Sequence, residues 1–217
     1  MKTTISVLLV IICMRCATTS ISAIRNKEVE PVTFNRIMVF APFKDIGWRQ
    51  KTEASFVTKM LKKELYAKKE PPRNPYYRDF VDKTHTEICS CGVSSIEIIP
   101  PFREYSPEDL QIRYSKSNID GILVVALEDF WTSDFQVYQY NSYINSIIGF
   151  TLSKPRLKFD IRLVDVASGE IVWMATAVTA GNVYADRGDL LESLALSIVE
   201  ELFKEKFLIA EIKHNSK

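Results

Sequence analysis

Residues 118–127, NIDGILVVAL, decide the fold, because an Asp-Gly step leads there into six consecutive apolar residues. A short, continuous apolar run of this kind is typical of a strand that is buried on both faces. Residues 36–43, RIMVFAPF, form a second run of this type. We predict buried strands at both places and a further strand over residues 88–99.

Helical patterns lie between these strands. In residues 49–69 the apolar side chains share one stripe and lysines occupy the other side, which predicts an amphipathic helix. Ser106 is a good N-cap for a second helix, since Pro107 and two acidic residues follow it. The order β-α-β-α-β predicts parallel neighbours joined by right-handed crossovers.

The last third of the chain changes character. Residues 155–165 alternate between apolar and charged side chains, residues 167–169 form a turn, and residues 170–179 return as a strand, which predicts an antiparallel hairpin. Asp189 and Glu192 then fit the capping box of a final helix.

These patterns together predict an α/β fold. We expect a single domain over residues 36–209 with one mixed sheet, in the order β-α-β-α-β followed by antiparallel β-hairpins and a C-terminal helix. No internal repeat or Pro/Ser-rich linker divides this region. Residues 210–217 form a polar tail.

Composition excludes several classes of protein. The chain of 217 residues is 47% hydrophobic, so it is not mainly disordered. Its 28 basic and 27 acidic residues give a net charge of +1, which does not indicate a nucleic-acid binder. It has seven glycines and neither of the Gly-rich phosphate-binding motifs. We therefore expect no nucleic-acid partner and no cofactor.

The N-terminus has the pattern of a signal peptide. Residues 1–16, MKTTISVLLVIICMRC, combine a basic Lys2 with a predominantly apolar run of ten residues, which is too short to cross a bilayer. Cys16 and the small polar residues after it resemble the start of mature bacterial lipoproteins. That resemblance implies that Cys16 carries lipid and becomes the new N-terminus, although Arg15 departs from the small residue that the family has before its cysteine. The alternatives are lipid at Cys13, cleavage after Ser22 to a soluble secreted protein, and an uncleaved segment.

Residues 17–35 are polar and include a proline, so we expect a tether, as a leash or an edge segment. Further along, Cys89 and Cys91 form a possible thiol pair, and His85 lies four residues before them. A disulfide across one residue would be strained, and a zinc site needs more ligands than these three. Structural or free thiols are the simplest interpretation, with a redox bridge and a metal site as the alternatives; we predict no metal.

Three stretches resemble small α/β domains of cell-envelope lipoproteins: residues 36–43, residues 118–127, and RLVDVASGEIVWMATA at residues 162–177. The last combines a strand, an Asp-x-x-[ST]-Gly turn and a strand containing Ile-Val-Trp. The chain is similar in this respect to the curli-secretion lipoprotein family and to the N-terminal domain of the Tol-system periplasmic protein. This resemblance implies an envelope location and partner binding rather than catalysis.

The sequence offers little catalytic chemistry. Ligands of open α/β sheets bind beyond the carboxyl ends of the strands, where Glu128 and Asp129 form a carboxylate pair. As neighbours on a strand they point to opposite faces, so they do not serve one site. No G-x-S-x-G elbow occurs, and His85 is the only histidine inside the domain. We therefore predict no catalytic residues.

Residues 134–152, DFQVYQYNSYINSIIGFTL, are nearly uncharged and rich in aromatic side chains. They could form two strands of about nine residues, and such strands are long enough to cross a bilayer when tilted. We considered a hairpin that packs on or covers the sheet edge, a partner or self-association surface, and membrane insertion. The candidate contact residues are Tyr138, Tyr140 and Tyr143.

The sequence thus predicts a non-enzymatic, lipid-anchored protein on the periplasmic side of a bacterial membrane, most simply the outer membrane, with palmitate-type acyl chains on Cys16. Its role would be that of a binding, scaffold or assembly factor for an envelope protein or for itself. An oligomeric secretion or pore component of the curli-secretion type is the first alternative, and a small hydrolase-like enzyme is the second.

Overall fold

One mixed sheet carries helices on its faces in the computed structural model, which describes residues 17–30, 32–61, 92–143 and 145–208. The predicted fold class is confirmed. The strands among these residues are β1 (Ala17–Arg25), β2 (Ile37–Phe40), β3 (Gly92–Ser94), β4 (Gly121–Asn141), β5 (Ser146–Asp165) and β6 (Ile171–Gly181). The helices are α1 (Ile46–Leu61), α2 (Ser95–Ile98), α3 (Pro107–Lys116) and α4 (Arg187–Lys204).

The strand order is β1-β6-β5-β4-β2-β3. The parallel part contains β4, β2 and β3, as the β-α-β-α-β pattern predicts. From β4 through β5 and β6 to β1 every pair is antiparallel. The predicted hairpin of residues 155–165 and 170–179 lies within β5 and β6, and the chain closes with α4.

The main core lies between the sheet and the helices α1 and α4. Alternate residues of β5 point into it, and the apolar stripe of α4 covers them. Apolar side chains repeat about every 2 residues along β5 and about every 3.6 residues along α4, so one face of each element is buried. The fully buried side chains of this core include Phe56, Leu123, Leu157, Phe159, Trp173, Leu194 and Ile198. We call the side of the sheet that α1 and α4 cover the helix side.

Several predicted boundaries differ from the structure. The predicted strand over residues 88–99 is shorter, because β3 ends at Ser94, whose hydroxyl caps α2 by accepting the N–H of Ile96. Ser106 caps α3 in a complete capping box, as predicted. For α4 the N-cap is Asp186, and Asp189 is the reciprocal N3 residue of that box. The observed capping box thus begins three residues before the predicted one.

The tether over residues 17–35 needs correction at its start. Ala17–Arg25 is an edge strand, β1, that pairs with β6 from Trp173 to Gly181, so it is an edge segment and no leash. Most side chains there are small or hydroxylated, and Ala17 and Ile21 pack against the main core. Polar residues of small volume suit a half-buried edge, which is why composition alone suggested a tether.

The turn between β5 and β6 matches the Asp-x-x-[ST]-Gly pattern. Gly169 has φ +74°, a conformation that favours glycine. Partial burial of the Asp165 carboxyl raises its pKa. Hydrogen bonds from the Ser168 hydroxyl and from the N–H groups of Ser168 and Ala167 outweigh this effect and hold the pKa of Asp165 below its usual value. The carboxylate therefore fixes the turn in its ionised form.

A buried carboxylate joins α1 to the carboxyl ends of β2 and β3. Glu53 is 0% exposed. Its side-chain oxygens accept hydrogen bonds from the hydroxyls of Ser94 and Ser95, both at 2.5 Å, and from Arg49 Nε at 3.0 Å. The N–H groups of Ala41 (3.1 Å) and Ile96 (3.3 Å) donate to it as well. A carboxylate with this many donors is compensated for its burial, so Glu53 locks helix to sheet.

We predict that Glu53→Gln lowers the free energy of unfolding by about 3 kcal/mol, because the amide nitrogen cannot accept these donors and Arg49 loses its buried partner. Urea unfolding followed by circular dichroism measures the loss. Glu200→Gln, an exposed position on α4, is the matched control and should change stability by less than about 0.5 kcal/mol. Equal losses in the two variants would contradict the role of Glu53.

Candidate functional site

The candidate site is a two-stranded arm that projects from one end of the sheet. β5 loses its β6 neighbour beyond Arg156, whereas β4 and β5 remain paired for ten further residue pairs, from Thr132 with Pro155 to Asn141 with Ser146. At about 3.4 Å per residue this ribbon is roughly 30 Å long. We call residues 132–155 the arm. The predicted separate hairpin of residues 134–152 is instead the continuation of two sheet strands, so it does not cover the sheet edge.

The apolar side of the ribbon changes between the body and the arm. In the body of β5 the apolar residues are odd-numbered, from Leu157 to Leu163, and point to the helix side. In the arm the apolar residues Ile148, Phe150 and Leu152 of β5 are even-numbered, while Ile147 near the tip stays on the odd-numbered side. Since successive strand residues point to opposite faces, the even-numbered side chains lie on the face opposite the helix side.

β4 makes the same change through an irregularity in its pairing. Leu127 is opposite Phe159 and Asp129 is opposite Lys158, so Glu128 is an extra residue. Odd-numbered β4 residues therefore face the helix side up to Leu127 and the other side from Asp129 onward. Five side chains of the arm consequently share the face opposite the helix side; we call them the apolar row: Phe135, Val137, Ile148, Phe150 and Leu152.

The other face of the arm is polar near the body and aromatic near the tip. Asp134 accepts a hydrogen bond from Ser153 at 2.5 Å. Further out, the Tyr138 ring lies across Gly149, where a Cβ would approach the ring to 3.0 Å. The Tyr138 hydroxyl donates to Gln136, and the Tyr140 hydroxyl donates to Asn145 at 2.5 Å.

The predicted contact residues are all exposed. Tyr138 is 66%, Tyr140 60% and Tyr143 98% exposed. Tyr138 and Tyr140 share the helix-side face of the arm, while Tyr143 lies in the turn that joins its strands. A concavity of about 270 Å³ at the tip is lined by Tyr140, Tyr143, Ile148 and Phe150 together with neighbouring polar residues. The structure thus brings these tyrosines to one end of the arm.

The base of the arm is held against the body by an arginine between two aromatic rings. The Arg187 guanidinium lies 4.8 Å from the Trp48 ring centroid and 5.7 Å from that of Phe130. Trp48 in turn meets the Phe43 ring edge-on at 5.9 Å. Contacts of this kind contribute about 0.5–1 kcal/mol each at exposed sites. They connect the first residues of α4 and α1 to β4, just before the arm begins.

The carboxyl ends of the parallel strands, where ligands of such sheets bind, are occupied by the protein itself. Glu53 fills the space beyond β2 and β3, as described above. β4 does not end at Glu128 and Asp129, so these acids do not flank a strand terminus. Lys158 donates to Glu128 at 2.7 Å, and Asp129 accepts the N–H of Phe130 at 2.8 Å. They do not converge on a common point.

Other predicted site residues cannot be located. Cys16, Cys89, Cys91 and His85 lie outside the described residues, as do residues 1–16 and the polar tail. Among the residues that the structure describes, no three histidine, cysteine, aspartate or glutamate side chains form a group that could hold a metal ion. Within the same ranges, no helix is both long and apolar enough to cross a membrane.

Sequence reasoning missed two features of this region. Glu53 lies three residues before Phe56 and seven before Met60, so it belongs to the apolar stripe of α1. A charged residue on that stripe was the sequence signal for a buried, hydrogen-bonded carboxylate. The apolar row was missed because only the tyrosines were considered as contacts. The change from even to odd apolar positions along β5, between Leu152 and Leu157, marks the swap of faces in the sequence itself.

Comparison with known proteins gives partial structural likenesses only. No protein-family model matches the chain, and no curated protein matches it. A PelC dodecamer from Paraburkholderia phytofirmans is similar at 12% identity and a TM-score of 0.44, over 88% of this chain and 99% of that one. Lipoprotein GNA1162 from Neisseria meningitidis is similar at 13% identity and a TM-score of 0.36, over 78% of this chain and 98% of that one. A PDZ domain protein from Parabacteroides distasonis is similar at 11% identity and a TM-score of 0.33, over 88% of this chain and 37% of that one. At these values the likeness assigns no family to this chain.

We predict that backbone amides of the arm exchange with solvent at least tenfold faster than those of β6 in dilute protein. An unsupported two-stranded ribbon is marginally stable in water, whereas β6 is paired on both edges and opens only with the body. Hydrogen–deuterium exchange with mass spectrometry measures both segments in one sample. Protection of residues 132–155 equal to that of β6 at high dilution would show that the arm needs no partner.

Proposed function

We propose that this protein is a non-enzymatic, lipid-anchored component of a bacterial cell envelope that binds a protein partner through the arm. The apolar row is the observation that carries the proposal. It lies on a face that α1 and α4 do not cover, and no charged residue occurs between Phe135 and Ser153. Exposed apolar surface of this extent marks interaction sites on soluble domains.

The anchor and the arm lie at the same end of the sheet. Ala17 pairs with Gly181, one position beyond the pair of Ala180 with Arg156, where the arm begins. Cys16 is one peptide bond from Ala17. A lipid on Cys16 would therefore hold the edge of the sheet close to the membrane, without a flexible leash, and would place the arm on the membrane-facing end.

An oligomeric secretion or pore component of the curli-secretion type is the second candidate. Polar and apolar side chains alternate in the half of the arm next to the body, and this pattern favours the second candidate. Polar side chains such as Gln136 and Thr151 lie on one face, and the apolar row lies on the other. The ten-residue length of each arm strand also suits a tilted membrane-crossing strand. Rings that persist in detergent would distinguish this candidate from a binding protein.

The anchor is tested by the intact mass of the mature protein, expressed with its own signal in a Gram-negative host. We expect a chain beginning at Cys16 with three acyl chains. Cys16→Ala should abolish the lipid mass, and the control Cys13→Ala should retain it. A lipid-free chain beginning at Ala23 would remove the lipoprotein part of the proposal.

Partner binding by the arm is tested separately with a photo-crosslinking amino acid at position 143 in living cells. We expect a defined cross-linked band, since the Tyr143 side chain is 98% exposed at the tip of the arm. Position 184 is the matched control, because Tyr184 is exposed too, at 60%, but lies outside the arm. Equal labelling from both positions, or none from either, would contradict a binding role for the arm.

A further inference from the structure

The occupant of the apolar row must match a long, narrow, neutral surface. The row extends along most of a ribbon that is roughly 30 Å long and 10 Å wide. In the row, Phe135, Ile148 and Phe150 each keep 36–40% of their surface exposed, although neighbouring side chains shield them. A second ribbon of the same length and character would cover this surface along its whole length.

The area agrees with a weak contact between two copies. Two ribbon faces of this size would bury on the order of 900 Å² together, which is below the range of stable specific interfaces and within that of weak, transient contacts. Apolar side chains supply the driving force, at about 25 cal/mol per Å² of apolar surface removed from water. An interface of this size predicts a reversible dimer whose population depends on concentration.

The distribution of charge selects one orientation. At the base of the arm, Lys154 and Arg156 lie on the same face as the apolar row, and Lys154 Nζ is 4.6 Å from the Phe135 ring centroid. At the tip this face ends in the neutral Asn141 and Ser146. If two arms packed base to base, the lysines would meet and repel each other. Base-to-tip packing instead brings each lysine to neutral amide and hydroxyl groups that can accept its hydrogen bonds.

On β5 the row is symmetric about its centre, because Leu152 and Ile148 flank Phe150, whereas on β4 Phe135 and the polar Gln139 flank Val137. Val137 and Phe150 form the middle pair, with Phe135 and Leu152 one step towards the base and Gln139 and Ile148 one step towards the tip. A two-fold axis through the middle pair would place position 135 of one copy over position 139 of the other. Self-complementarity of this kind is what an isologous dimer interface requires.

We propose that two copies of this chain associate through their arms, with the apolar rows packed face to face and the arms antiparallel about a two-fold axis at Val137 and Phe150. This inference rests on the proposed function, whose partner it names as a second copy. Each arm then supplies the cover that the other needs, and the two ribbons form a two-layered, four-stranded element.

Cysteine cross-linking tests the geometry. Two differently tagged copies, one with Phe135→Cys and one with Gln139→Cys, are expressed together in the host envelope in a Cys89→Ser, Cys91→Ser background. The proposal expects mixed 135–139 disulfide dimers to predominate. Thr151→Cys, on the other face of the arm, is the control and should give none. Dimers that link 135 to 135 would contradict the antiparallel arrangement.

Association itself is measured by sedimentation equilibrium of the mature chain in a density-matched detergent over a hundredfold range of concentration. Val137→Glu places two like charges at the axis and should weaken the dimer at least tenfold. Gln136→Glu, the adjacent residue on the other face, should leave it unchanged. A wild-type chain that stays monomeric throughout would overturn the inference. If position 143 then cross-links to a different envelope protein or inserts into lipid vesicles, the proposed binding role stands and only the second copy is excluded.

Discussion

The structure depends on the strict alternation of side chains along β4 and β5. One half of each strand packs in the core, and the other half projects from the sheet as the arm. The apolar side chains change from one face to the other where the arm begins. Because a strand presents every second residue to one face, the apolar row cannot be an extension of the core under α1 and α4. The row must either stay in water or be covered from outside the domain.

Two local devices make this change of side possible. The extra residue Glu128 shifts the phase of β4. On β5 the run from Ser153 to Arg156 contains no large apolar residue and separates the odd-numbered apolar residues of the body from the even-numbered ones of the row, so that strand needs no irregularity there. Arg187 then holds the point of departure between Trp48 and Phe130. The body is fixed independently by Glu53, so the arm can respond to a partner without altering the sheet that carries it.

Much of the body could be read from the sequence, since buried strands and amphipathic helices impose patterns that packing does not override. The run at residues 118–127, the Ser106 cap and the Asp165 turn each combine a local preference with the tertiary position that uses it. The arm was harder to predict, because its strands continue those of the sheet without a turn between them. Whether 134–152 folds back or projects depends on which neighbours it lacks, and local pattern does not contain that information.

The central claim is that the apolar row faces away from the core and is covered by the row of a second copy. The most direct measurement is an isotope-filtered nuclear Overhauser experiment on a mixture of labelled and unlabelled chains. The account predicts intermolecular contacts between the Val137 methyl groups of one copy and those of the other. Val137 contacts that are only intramolecular, or that reach Trp48 on the helix side, would contradict it.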